Sequence, residues 1–492
     1  MRHTIIKING TALWGALLML ALSGCTKLLD KKPITQVVTP NASDSSVTLT
    51  GAQSLLQGVY GAFKGAGYGP GIEVNVFDRI NNGDVMSDNC YAGGDNQDNI
   101  AQDNFTFNSL NSNITRDWSD YYSVIGAANN ALFQVAASKD PSLTADMKSQ
   151  ILGQIKFMRA FEYFDLVRLW GAVPLVINPI DASSSESLIK SSGGLRSPVD
   201  SVFAAILSDL WAAKGTVIDP GVDPSKYTVT KGVVNALLAK VYATKAPINW
   251  DSVAYYCDQV IPHYRLMPRY ADLFDINHKD NSESIWEITY DGYSSSVGNW
   301  VPSLFQGAGY KKFMTPTNDL VKAFNAEGDT ARLNASITFV NYGWPDKYWT
   351  TPTNYPVMSK YTDPNNGYND MYMIRLADIL LLRAEAYNNK SDLANAALMV
   401  NQVRARAKIG PVVAASQADM TLAIDNERRL ELAFEGQRWF DLLRTGRAKA
   451  VMNAQKDASG NTLYNVQDFR LLFPVPQTQI DLNPLLTQNT GY

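Results

Sequence analysis

Residues Glu427 to Arg447 read ERRLELAFEGQRWFDLLRTGR, with acids, arginines and aromatics interleaved as densely as in a catalytic motif. At 3.6 residues per turn the stretch is read as a helix with Leu432, Gly436, Trp439, Phe440 and Leu443 on one apolar stripe. Arg428, Glu431, Glu435 and Arg438 then share another face, a spacing that suits ion pairing along a packed helix. The glycine in the stripe lets a neighbouring helix come close. The pattern predicts a scaffold helix with Trp439 buried and its charges paired, not a site.

Working outward, FDLLRTGR from Phe440 has an echo in FDLVRLWG from Phe164. Two copies of Phe-Asp-Leu-aliphatic-Arg, each with a glycine shortly after, fit two helix ends and a structural duplication. A second echo joins NALLAKVYATK, with Ala239 and Tyr242, to DILLLRAEAYNNK, with Ala384 and Tyr387. Each is followed by an amphipathic stretch, around Trp250 to Val260 and Ser391 to Ala407. This small-x-x-aromatic spacing resembles tetratricopeptide pairs, in which the small residue lets two helices approach and the tyrosine fills the gap. The expected fold class is mainly α.

Two segments depart from that pattern. From about Ile285 to Tyr372 the chain opens with the strand-like ESIWEITY and turns to loops rich in Gly, Asn, Pro, Thr and aromatics. A similar loop covers Asn75 to Trp118, including NNGDVMSDNCYAGGDNQDN. Long irregular excursions on a helical frame usually bind something when they are ordered. Length alone suggests about three domains, but the spread of helical patterns favours one body over residues 51–492, with the region about 285–372 inserted between helical repeats.

The N-terminus addresses the compartment. Arg2 and Lys7 precede the uncharged run TALWGALLMLAL, too short to span a bilayer comfortably, so residues 1–24 read as an export signal. The signal ends in Leu22-Ser23-Gly24-Cys25, which resembles the bacterial lipobox; lipid on Cys25 is expected, the alternative being a secretory peptide with a chance cysteine. Several acyl chains give the stable anchoring that one does not. Residues 25–50, rich in Thr, Ser, Asp, Lys and Pro, suit a tether. Loss of the signal removes two basic side chains and no acid from a formal charge of −4. No basic stripe marks a nucleic-acid surface, and no later run is long enough for a second membrane span. Beyond Cys25 only Cys90 and Cys257 remain, which excludes a disulfide framework and leaves one bridge or two inert thiols.

Catalytic signatures are scarce. His3 leaves with the signal, and neither His263 nor His278 belongs to HExxH, so a zinc site or histidine triad would have to be assembled from almost nothing. The glycine cluster GAGYGPG, Gly65 to Gly71, does not match a phosphate-binding GxGxxG. No cofactor is expected. Asp84, Asp88 and Asn89 could ligate calcium through oxygens, but the spacing is not that of an EF-hand and turn capping is the commoner role, so no metal site is assigned.

What remains is stacking and hydrogen bonding. Sugars present apolar C–H faces and polar rims, and a receptor meets them with exposed Trp or Tyr planes beside Asn, Asp or Arg. The excursions supply both, which nominates Asp88, Asn89, Tyr91, Trp300, Tyr310, Trp344, Tyr348 and Trp349 as ligand-binding residues. Any one of these rings could instead staple a loop to the body. Exposure of some is expected because NYGWPDKYWTTPTNYP, around Trp344, Tyr348 and Trp349, offers little regular structure to bury them. Trp286 points inward within SIWEITY and belongs to the core.

FMRAFEYFDLVRLWGAVPLV from Phe157, SESIWEITY from Ser282, PTNDLVKAF from Pro316, IRLADILLLRAEAYN from Ile374, VNQVRARA from Val400, the opening stretch and LLFPVPQTQIDLNPLLTQNTGY from Leu471 follow one another along the chain. In that order they resemble the successive signatures of the RagB/SusD nutrient-uptake lipoproteins. The resemblance implies a helical scaffold with tetratricopeptide-like pairs and a lipid anchor in the outer membrane. It further implies glycan capture and a partner, a SusC-type TonB-dependent transporter over which the lipoprotein closes as a lid. Exposure at the cell surface is implied as well; surface-exported members often carry acids after the lipidated cysteine, whereas TKLLDKK has one acid and three lysines, so periplasmic exposure is the alternative. The family's ligand contacts lie in variable loops, so the nominated residues rest on chemistry and loop location.

The expectation is a non-enzymatic glycan-binding lipoprotein. The alternatives are a peptide-capturing lid of the same architecture, a glycan hydrolase, and a structural subunit that only docks the transporter.

Overall fold

The computed structural model describes residues 46–65, 74–181, 183–295, 298–305, 312–341, 345–351 and 353–492. Cys25, Tyr310, Trp344 and most of the GAGYGPG run lie outside the described residues. Several helices start at side-chain caps, which satisfy otherwise orphaned amides. Thr48 accepts from the Gly51 amide and opens α1 (Leu49–Lys64), just inside the stretch read as tether. Asn111 and Thr144 open α2 (Ser112–Ala137) and α3 (Ala145–Trp170) in the same way. From Phe157 to Trp170 every residue of α3 except Arg168 is buried, the mark of a helix at the centre of a core. α1, α2 and α4 (Val199–Lys214) pack around it.

The two echoed helices form pairs. α5 (Lys231–Tyr242) packs on α6 (Trp250–Asp258), and α7 (Leu376–Asn389) packs on α8 (Leu393–Ala407). Ala239 and Ala384 are fully buried at the close approaches. The tyrosines do not fill the gaps as expected: both are half-buried, with Tyr242 stacked on Tyr256 and Arg383 lying over Tyr387.

Among the described residues six short strands make three two-stranded antiparallel sheets. β1 (Cys90–Tyr91) pairs with β3 (Thr315–Pro316), β2 (Ser284–Ile288) with β6 (Met371–Arg375), and β4 (Ile337–Val340) with β5 (Tyr355–Met358). All five residues of β2 are buried, so its alternation does not divide core from solvent. Trp286 is fully buried, as expected, within about 5 Å of the Phe63, Phe157 and Phe161 rings. Cys90 and Cys257 are buried free thiols.

The opening stretch is not one helix. α9 (Gln417–Glu431) ends there, Phe434 and Gly436 take φ of +66° and +70°, and α10 (Arg438–Arg444) starts anew. The break has a reason. Asp84 accepts from the Phe434 amide at 3.2 Å and the Gly436 amide at 2.5 Å, and a Cβ on Gly83 would overlap the Gly436 backbone. The close approach foreseen at Gly436 is therefore made by the π-helical turn Asn81–Val85 against a helix break.

The charges pair as expected. Arg375 donates to Glu283 at 2.9 Å, Glu431 at 2.5 Å and Glu435 at 2.7 Å. Arg406 and Arg332 also bind Glu431. Arg428 binds Asp378 and Asp441, and Trp439 is buried. Burial pushes the Glu431 carboxyl up, but Arg406, Arg375 and Arg332 outweigh it and hold the group well below the usual carboxylate range. The two Phe-Asp-Leu motifs also meet, since Arg168 of the first lies 3.8 Å from the ring centre of Phe440 in the second.

Candidate functional site

The β1–β3 pairing brings the two irregular excursions together. The Gly93 amide donates to Lys312 O at 2.7 Å, and the Thr317 amide to Asn89 O at 2.9 Å. Alternation along the β1 backbone turns Tyr91 toward Asp346, where its hydroxyl donates to Oδ2 at 2.6 Å.

A node of aromatics forms around that carboxylate. Tyr355 reaches the same oxygen at 2.6 Å and the Tyr91 hydroxyl at 2.6 Å. The Tyr91 and Tyr348 rings stack at 3.8 Å. Asp346 Oδ1 accepts from the Tyr348 and Trp349 amides at 3.0 and 2.9 Å, which fixes the turn that presents both rings. Tyr348 shares a hydrogen bond with the Tyr464 hydroxyl at 2.6 Å, and Tyr464 donates to Asp103 at 2.8 Å. Burial pushes the Asp103 carboxyl up to about 7, against the hydrogen bond from Tyr464. Lys312 sits 4.3 Å over the Tyr355 ring and 3.8 Å from Asp346.

This packing revises several nominated residues. Tyr91 and Tyr348 are buried because each covers the other, so neither offers an open plane. Asp88 and Asn89 are buried too. The Asp88 carboxylate accepts from Arg438 at 2.7 Å and is ion-paired with Arg429 at 3.1 Å. Burial raises the Asp88 carboxyl, and Arg429 and Arg438 more than reverse this and bring it down to about 2. Asn89 accepts from Arg429 at 3.0 Å and donates to Asp84 at 3.1 Å. With two arginines on Asp88, this trio ties the loop to the frame instead of forming a cation cage; among the described residues no group of three His, Cys, Asp or Glu is placed to hold a metal.

Trp300 and Trp349 keep part of their surface. Trp349 donates from its indole to Pro316 O at 3.1 Å and is half-buried. Trp300 is half-buried with one face on Phe77 at 5.5 Å, and Phe77 meets Phe313, the neighbour of Lys312, edge-on at 6.0 Å.

Two rings in the same region are absent from the residues nominated on sequence. Tyr293 and Tyr368 are each 37% exposed. Their inner faces lie on glycine backbone: a Cβ on Gly298 would strike the Tyr293 ring, and one on Gly292 the Tyr368 ring. The Tyr293 amide donates to Asn366 O at 2.9 Å and the Asn299 amide to Gly367 O at 2.9 Å, which clamps the two loops together. A glycine next to a tyrosine, as in DGY and NGY, is the signal that points to them.

Comparison with known proteins places this frame. The model described as the SusD family matches residues 282–492, and one described as starch-binding associating with outer membrane matches residues 29–243. The chain belongs to the SusD family. A SusD-like protein P25 of Formosa agariphila is 27% identical to it over 77% of this chain and 80% of that one. The laminarin binding SusD-like protein of known structure superposes with a TM-score of 0.73, 25% identity, and coverage of 90% of this chain and 99% of the other. A SusD-like carbohydrate binding protein from Bacteroides fragilis has a TM-score of 0.75 over 90% and 99%; at 20% identity it speaks to the fold alone. The two matched SusD segments meet at the β1–β3 sheet, so the loop cluster is built jointly by both.

Proposed function

We propose that this SusD-family protein is lipidated at Cys25, sits in the outer membrane at the cell surface, and captures oligosaccharides for a SusC-type TonB-dependent transporter. The observation that carries the binding part is the joining of the two excursions at the β1–β3 sheet, with Trp300, Trp349, Tyr293 and Tyr368 of the second excursion retaining accessible rings and Lys312 standing by Asp346. Such rings meet sugar C–H faces while the polar rim meets hydroxyls. Binding proceeds without turnover: the buried acids nearest the cluster are committed to arginines, tyrosine or backbone amides. The lipobox and the outer-membrane association in the matched family description support the location.

Isothermal titration of the mature protein with a panel that includes laminarin and starch oligosaccharides tests the reading. A ligand is expected, and Tyr293→Ala with Tyr368→Ala weakens it. Saturable binding of peptides with no glycan bound overturns it in favour of the peptide-capturing lid, and release of shorter sugars by purified protein overturns the absence of turnover.

A further inference from the structure

The two most exposed aromatic side chains among the described residues lie on the helical scaffold, not in the loops. Trp211 on α4 is 51% exposed and Tyr255 on α6 is 52% exposed. They belong to one cluster. The Trp211 indole faces the Tyr242 hydroxyl at the end of α5. Tyr242 stacks on Tyr256 of α6 at 5.7 Å with planes 11° apart, and Tyr255 meets Tyr256 edge-on at 5.0 Å. Lys214, in the last turn of α4, holds its ammonium 5.2 Å from the Tyr255 ring centre and 4.9 Å from that of Tyr256.

The helices hold this group firmly. Ile206, Leu210 and Ala213 bury the other face of α4, and Val253, Ala254 and Cys257 that of α6. Isolated exposed apolar residues need no explanation, but four rings and an ammonium at the junction of three helices make a composed surface.

The surroundings decide which ligand fits. A stable protein interface needs roughly 800 Å² per partner around an apolar centre. Here the large apolar side chains exposed on α4, α5 and α6 are Trp211, Tyr255 and Val199, and Val199 stands at the opposite end of α4. One helical turn away stand small polar groups, Ser208 from Trp211 and Gln259 from Tyr255, both exposed, while Asp251 and Asp258 are paired with Lys390 and Arg383. An aromatic island of sugar-ring size with hydroxyls, an amide and an ammonium at its edge suits a pyranose better than a protein.

We propose that Trp211, Tyr255, Tyr242 and Tyr256, with Lys214, form a second carbohydrate platform on the scaffold, separate from the loop cluster. Sugar C–H faces stack on Trp211 and Tyr255, and Lys214 and the tyrosine hydroxyls meet the sugar oxygens. The inference rests on the glycan reading above. A second contact point raises the apparent affinity for long chains that reach both sites and leaves short oligosaccharides little affected.

Affinity electrophoresis in gels containing laminarin or soluble starch, run beside titration with short oligosaccharides of the same glycan, tests it. Trp211→Ala with Tyr255→Ala is expected to reduce retardation by the polysaccharide about three- to tenfold, the scale of lost ring stacking, with short-oligosaccharide affinity unchanged. The loop variant Tyr293→Ala with Tyr368→Ala is expected to lose the short oligosaccharide. Fluorine NMR of 5-fluorotryptophan-labelled protein, with the Trp211 line identified by its absence in Trp211→Phe, should show that line shift with laminarin. Wild-type retardation matched by the Trp211 and Tyr255 variant, with a static Trp211 line, overturns the platform and leaves the loop reading intact. No retardation of wild type by any glycan overturns both. A Trp211 line that moves with protein concentration and not with glycan overturns it in favour of self-association.

Discussion

Tyr91 and Tyr348 lie face to face with ring centres 3.8 Å apart and planes 17° apart, although 257 positions of sequence separate them. Their stack closes the two irregular excursions onto each other. Tyr348→Ala removes a buried ring and its bond to Tyr464, and should lower stability by about 3 kcal/mol in urea titration. Tyr348→Phe keeps the stack and should lose only about 1 kcal/mol.

Glu431 answers three buried arginines, Arg332, Arg375 and Arg406. Glu431→Gln leaves them undercompensated in the interior, and a loss of about 3–5 kcal/mol is expected in chemical denaturation. Added salt should not restore it, because buried charges are poorly screened.

Backbone crowding separates two glycines that look alike in sequence. Gly83→Ala places a methyl group inside the Gly436 backbone and should abolish cooperative unfolding or destabilise by more than about 3 kcal/mol. Gly126, in α2, has open space where a methyl would stand, with nothing within 4 Å, and Gly126→Ala should stabilise by about 0.5–1 kcal/mol. Thermal melts of the two variants read both.

Asp103 supplies a pH dependence. Its carboxyl is raised to about 7 by burial, so the folded state keeps a proton that the unfolded chain releases near pH 4. Its favourable contribution is complete below pH 4 and is lost as pH rises toward 7, at about 1.4 kcal/mol per pH unit within that window. Asp103→Asn should flatten the wild-type fall in melting temperature between pH 5 and 7.

Trp349 tests the loop cluster more narrowly. Its indole is anchored to Pro316 O, and Trp349→Phe keeps a ring without that anchor. A weaker oligosaccharide Kd is expected with a stability loss no larger than about 1 kcal/mol from the lost hydrogen bond, measured by titration and calorimetry on the same sample.

The frame was legible because its signals are local and periodic. Ala239 and Ala384 mark helix approaches, and Arg428, Glu431 and Arg438 announce partners by their spacing. Those signals failed where a distant residue intervened: nothing within ERRLELAFEGQRWF reveals that Asp84 draws out the Phe434 and Gly436 amides and breaks the helix. The binding surface was half legible for the same reason. Composition located the aromatic excursions, but which rings face outward depends on pairings such as Tyr91 with Tyr348 and on glycine backbone beneath Tyr293 and Tyr368. A rule that loops expose their aromatics cannot foresee that two loops will cover each other.

The bonds from Asp84 to the Phe434 and Gly436 amides bear on biogenesis. They join residues 350 and 352 positions apart, and closing such a span has an entropic cost of about 5 kcal/mol. A chain leaving the ribosome N-terminus first therefore carries Asp84 and Asp88 without the amides and guanidinium groups that meet them until most of it has been synthesised. The segment from Phe434 to Arg438 acts as a late latch, supplying the partners of Asp84 and Asp88 only after most of the scaffold has been made.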